Sequence, residues 1–188
     1  MKKKLLCLSC IVGWFCFTTC KKDKPSKNLP PITQEGKNTI GFKVNGEVWT
    51  PFYKCRYFGD PCGEISARYG PPSNVVERFS FGATRDNGQD FSYISILVTE
   101  PLTSIGAKYD ASVIEYYVSK TGSNLGKSYT KSNLNSIGKF EVTKIDTQEQ
   151  NISGIFSFKL YNTYSGVTDS LEITDGRFDF KMNACICR

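Results

Sequence analysis

The chain has 188 residues, a formal net charge of +6, 39% hydrophobic residues and no histidine. Without histidine, Ser-His-Asp and Cys-His catalysis and histidine-rich zinc sites are excluded. The charge does not mark a nucleic-acid reader, because from Asn28 onward Lys plus Arg and Asp plus Glu number 17 each, and no basic patch is left in the body.

Residues 1–19 read as a lipoprotein signal peptide. A basic start, Met1–Lys4, precedes a mostly apolar run, Leu5–Phe17. As helix that run spans about 20 Å, too short to cross a bilayer but suited to a secretory signal. "FTTC" looks like a lipobox, with Thr18 and Thr19 as the small residues before the cut and Cys20 as the acyl acceptor. Cys16 follows bulky Trp14 and Phe15, and Cys10 comes before most of the apolar core. An ordinary signal peptide cut nearby is the alternative. Several acyl chains on one cysteine anchor stably at about 0.8 kcal/mol per buried CH₂. Cys20 and the lysine- and proline-rich residues to 38 form an expected flexible tether, extended up to about 55 Å. Residues 39–188 are then one domain.

That domain reads as all-β, a single antiparallel β-sandwich or partly closed barrel, from period-two alternation between turn dipeptides. Asn45-Gly46 predicts a two-residue hairpin with Phe42 opposite Trp49. A turn at Asn87-Gly88 sets Phe81 against Ile94 and Phe79 against Ile96. Residues 109–118 allow a strand or a short helix. "IGKFEVTKID" and "ISGIFSFKLYN" alternate around a polar turn at 146–150. Asp175-Gly176 predicts a last hairpin, with Ile173 against Phe178 and Leu171 against Phe180.

The start "F-x-V-N-G-x-x-W", the pair Gly106 and Tyr109, and the end "ISGIFSFKLYN…LEITDGRFDF" resemble small lipoproteins of Bacteroidota, which carry a β-rich domain of unknown function behind a lipobox. The resemblance covers most of residues 39–182. It implies a cell-envelope lipoprotein of the outer membrane and brings no catalytic residues with it. Surface-export signals of such lipoproteins hold several acidic residues where this tether has only Asp23, so the membrane face is left open.

Four cysteines remain: Cys55, Cys62, Cys185 and Cys187. An even number in an exported chain suggests disulfides. A bridge between Cys185 and Cys187 is strained by the usual Cα separation of about 5.5–6 Å. Cys55 and Cys62 are therefore expected each to join one of the C-terminal pair. The alternatives are a Cys55–Cys62 bridge with two free thiols, or a four-thiolate zinc or iron–sulfur site, whose usual Cys-x-x-Cys spacing is absent.

Other motifs are weighed against their structural meaning. Ser128–Lys131 ("SYTK") and Lys120–Gly122 ("KTG") match penicilloyl-serine fragments, but in reversed order. Glu172 and Asp179 would face each other across the last hairpin, a spacing a glycosidase would use. Asp86, Asn87 and Asp90 crowd one turn with oxygen ligands, which turn chemistry already explains. Tyr53, Tyr57 and Phe58 are candidate binding aromatics. No catalytic set, cofactor or metal is expected. The reading is a non-enzymatic module tied to the membrane by lipid on Cys20 and binding a glycan, a peptide or an envelope protein. A carboxylate-based envelope hydrolase, or a structural subunit pairing through edge strands, is the alternative.

Overall fold

The structure is a computed structural model that describes residues 24–53, 63–70, 79–102, 105–120, 123, 125–131, 138–162 and 169–187. The signal peptide, Cys20, Cys55, Tyr57, Phe58 and Cys62 lie outside the described residues. Among the described residues twelve strands run in chain order: β1 Thr39–Val44, β2 Glu47–Trp49, β3 Ile65–Tyr69, β4 Phe79–Asp86, β5 Asp90–Val98, β6 Lys108–Tyr109, β7 Val113–Lys120, β8 Gly126–Thr130, β9 Gly138–Asp146, β10 Asn151–Asn162, β11 Asp169–Lys181 and β12 Cys185–Ile186. All the pairings between them are antiparallel, in the order β12-β3-β4-β5-β7-β8-β10-β11-β1-β2, with β9 on β10 and β6 on β9. The sheet curls into a half-barrel. Just beyond the start of β3, where Ile65 pairs with Ala83, the chain leaving β2 takes over the edge of β4: Phe52 donates to Thr84 O and accepts from Asp86 N. The segment at 109–118 resolves as strand, in β6 and β7.

The fold is all-β, as the alternation predicts, and the hairpins show how far turn dipeptides fix register. At Asn45-Gly46 both residues have positive φ, 48° and 86°, the type I′ geometry that matches strand twist. Phe42 accordingly pairs with Trp49, their rings stacked 4.5 Å apart. The β4–β5 turn sits one residue later than expected. Asn87 Oδ1 accepts the amides of Gln89 and Asp90, so Asn87 flanks the turn and Gly88 takes the positive φ as its first position. Phe81 therefore faces Ile96, not Ile94, and Phe79 faces Val98. A slip of two keeps every side chain on its face, so the core is unaffected.

Asp175-Gly176 makes no hairpin. β11 runs straight through it for 13 residues, with a bulge on both sides: Asp175 and Gly176 face Phe42 on β1, and Thr174 and Asp175 face Ser157 on β10. Asp175 takes the positive φ (52°), and Gly176 lets the backbone of β10 approach: a Cβ there would lie 2.5 Å from Phe156 O. Bulges of this kind bend and twist a strand. Here the bend curls the sheet round its core.

Inside the curl, phenylalanines from four strands meet. Phe81 has Phe79, Phe140, Phe156, Phe178 and Phe180 within 5.2–6.3 Å, centroid to centroid. Trp49 is buried beside them and donates its indole N–H to Ser92 Oγ at 2.9 Å.

Residues 26–38, expected as part of a free tether, lie along the body as a strap. Thr50 Oγ1 donates to Ser26 O, and Pro30 rests on Gly41, where a Cβ would strike its ring. Gln34 exchanges bonds with β9, donating to Thr143 O and accepting from Lys144 Nζ. Residues 33–37 close around Asp179, and Asn38 accepts the amide of Lys181. The sequence reading missed this because prolines and polar residues look the same in a linker and in a strap held by backbone hydrogen bonds.

Candidate functional site

The strap covers the outer face of β1, β11 and β10. Among the described residues, none of the strap's bonds reaches the outer face of β4, β5, β7 and β8, whose residues follow from the alternation. In β5, Ser92, Ile94, Ile96 and Val98 point inward, leaving Phe91, Tyr93, Ser95 and Leu97 outward and half-buried. In β7, Ile114 and Tyr116 are buried, whereas Glu115 and Tyr117 face out. The ladder sets Thr84, Tyr93, Tyr117 and Ser128 in one row across four strands, and Gly82, Ser95, Glu115 and Thr130 in the next.

Aromatic rings dominate one end of this face. Tyr93 and Tyr117 stack with centroids 5.3 Å apart and 20° between planes, and Phe91 meets both edge-on at 6.3 Å. Gly126 supplies the room Tyr117 needs, since a Cβ there would collide with its ring. Glu115 knits the cluster, accepting from Ser128 Oγ at 2.8 Å and from the Tyr93 hydroxyl. Burial and that bond to a carboxylate push the Tyr93 phenol up to about 12. It stays protonated across the physiological range and acts as a donor. Tyr116, pointing inward from the same strand, is also raised, by burial.

Beside the rings the outward residues become small. Ser80, Gly82, Thr84 and Ser95 floor a groove of about 860 Å³, bounded by Arg68, Leu97, Val113 and the C-terminal hook Asn183–Cys185. Thr84 and Ser95 belong to both features, so groove and rings form one surface. The hook is fixed to β3: Asn183 Oδ1 accepts the amide of Tyr69, and Cys185 pairs with Ser66. Among the described residues the arrangement offers hydroxyl and amide partners, an aromatic surface, the Arg68 guanidinium and the Glu115 carboxylate. It is suited to holding a polar ligand that also has apolar faces.

The other candidates fall elsewhere. Glu172 and Asp179 do not face each other, because no hairpin brings them together. They sit seven residues apart on one strand, about 23 Å at strand rise, with Glu172 exposed and Asp179 sealed under the strap. Asp179 accepts from the hydroxyls of Thr33 and Ser153 and the amides of Glu35, Gly36 and Lys37, at 2.6–3.2 Å. Burial alone would raise its pKa. The hydroxyls of Thr33 and Ser153 and the amides of Gly36 and Lys37 outweigh it and hold the carboxyl below its usual range. In the β4–β5 turn, Asp86 and Asn87 spend their oxygens on backbone amides. Ser128 and Lys131 lie on and just after β8, Ser128 bonded to Glu115 and Lys131 to Asp110 and Ala111 O. Of the aromatics proposed from sequence, Tyr53 is half-buried and engaged with a neighbouring residue. Cys185 and Cys187 are likewise engaged rather than free.

Phe91, Tyr93 and Tyr117 were not among the sequence candidates. The signal was present in "DFSYISIL": aromatics on the alternate positions to Ile94 and Ile96, which themselves belong to the core. No family model, curated protein or solved structure matches the chain.

Proposed function

We propose that the protein is a non-enzymatic envelope lipoprotein, acylated at Cys20, that binds a glycan on the outer face of β4, β5, β7 and β8. The observation that carries this is the Tyr93–Tyr117 stack lying flush beside a groove floored by serines, glycine and threonine. A sugar's C–H surface packs on aromatic carbon. Its hydroxyls then trade hydrogen bonds with Ser80, Thr84, Ser95 and Glu115. The hydrolase alternative loses its acid pair, since Asp179 is occupied by the strap. Pairing through the two ends of the sheet order is weakly served, because β2 and β12 have three and two residues; the longer edge is β9, nine residues paired by β6 only at Phe140 and Glu141 and bonded by Gln34 beside them.

Binding is tested on a glycan array, followed by calorimetry on the best ligand. Tyr93→Ala and Tyr117→Ala are each expected to weaken that ligand at least tenfold, about 1.4 kcal/mol, while Glu149→Ala in the exposed turn between β9 and β10, at the end of β10 away from β8, leaves it unchanged. Wild-type affinity in both tyrosine variants would move the site elsewhere, and an array with no binder would end the glycan reading.

The cysteines belong to the same proposal. β12 and β3 pair with Cys185 opposite Ser66 and Ile186 opposite Ile65. Glu64 N donates to Ile186 O, which continues the pairing. That register carries Cys187 toward residue 64, two positions from Cys62 in sequence. It supports bridges from Cys62 and Cys55 to the hook, bracing the wall of the groove. The unreduced mature protein should weigh four hydrogens less than the reduced form. Equal masses would remove the bridges.

A further inference from the structure

The strap changes how far the barrel can stand from a membrane. Read as a free tether, residues 21–38 would let the body float some 55 Å away. In the structure the chain is already on the body at Ser26, whose carbonyl accepts from Thr50 Oγ1 at 3.1 Å. From there it stays docked: Pro30 on Gly41, Arg177 Nη1 donating to Pro30 O, Gln34 on β9, and residues 33–37 around Asp179. Only Lys21, Lys22, Asp23, Lys24 and Pro25 separate Cys20 from Ser26. Even fully extended they reach about 20 Å.

We propose that the strap holds the barrel flush on the lipid surface, with the Thr50–Pro51 end of β2 apposed to anionic phospholipid headgroups. The inference rests on the reading of Cys20 as the acylated residue. Three of the five intervening residues are lysines, and Lys27 follows on the docked segment, exposed like Lys24. Each lysine near an anionic surface contributes about 1 kcal/mol, an attraction that fades within a Debye length of roughly 8–10 Å. A short basic connection stays inside that distance, whereas a stalk of eighteen residues would carry the body beyond it. The barrel contributes no such pull itself, being charge-balanced from Asn28 onward. The covalent link and the lysines therefore set its height.

Trp49 reports on this directly. It precedes Thr50, and after cleavage before Cys20 it is the only tryptophan left, because Trp14 departs with the leader. The acylated protein is reconstituted in phosphatidylethanolamine–phosphatidylglycerol vesicles containing a dansyl-headgroup lipid, and energy transfer from Trp49 is measured. Transfer should be strong in the parent. It should drop several-fold when about twelve Gly-Ser residues, enough to roughly double the flexible reach, are inserted between Lys24 and Pro25. That insertion precedes the strap, and an unchanged thermal midpoint checks that the fold is intact. Transfer indifferent to the insertion, or no greater than for Cys20→Ala protein mixed with the same vesicles, would overturn the inference alone. Failure of the parent to take up a palmitate analogue in cells would overturn the acylation reading and the inference with it. Label with insertion-independent transfer separates the two.

Discussion

Replacing Asp179 with alanine is expected to cost about 3–5 kcal/mol of folding stability, read as a large fall in the urea midpoint. The carboxylate is 1% exposed and is the common acceptor of two hydroxyls and three backbone amides. Removing it strands donors that come from two separate parts of the chain. Asp179→Asn should lose roughly half as much, since one oxygen still accepts while the new amide confronts donors. The same bonds predict an acid limb. The folded pKa is depressed, so the unfolded state binds the proton first as pH falls. The contribution is complete above the unfolded value near 4 and is lost as pH drops through the lower folded value. A stability profile between pH 6 and 2 should show this loss in the parent and a flatter limb in Asp179→Ala. An alanine variant with the parent's midpoint and acid limb would mean that the strap is not held by this carboxylate.

The second large effect is Gly154→Ala. Gly154 sits where β9 carries an extra residue opposite β10, and a Cβ there would run into Glu141 O on β9 and the Phe178 ring on β11. One obstacle is backbone and the other belongs to the aromatic core, so neither yields cheaply. Overpacking of this kind costs about 3 kcal/mol. Gly46→Ala is the informative comparison. Nothing lies within 4 Å of its added carbon, but its φ is +86°, so the cost should be about 1 kcal/mol, from backbone conformation alone. Thermal or urea unfolding separates the two. Similar losses at both sites would show that Gly154 is kept for conformation rather than for the close approach of three strands.

What could be read from sequence was whatever depends on alternation. The all-β class, the Phe42–Trp49 pair and the strands on either side of the 146–150 turn follow from period two and local turn chemistry. Dipeptide rules fail where the deciding partner is remote. Asp175-Gly176 has hairpin composition, yet its strand is bound on both sides by β10 and β1, and the same φ preferences make a bulge instead. Asp179 looked like a solvated acid because the five donors that bury it lie about 26 to 146 positions away. The tyrosine ladder was hidden differently. Each tyrosine is an ordinary strand residue by itself, and only the alignment of Tyr93 with Tyr117 across β5 and β7 makes a surface of them.

One pairing governs how such a chain can acquire its shape. β1 is hydrogen-bonded to β11, its partner for Thr39 being Asp179, so the first strand must await almost the last. Closing so long a loop is entropically costly and slows folding. Until residues near 180 are delivered, β1 has only its hairpin partner β2, and residues 33–37 of the strap lack the carboxylate they close around. A molecule built this way tolerates being threaded through a narrow passage, front end first, and locks only once its tail has come through.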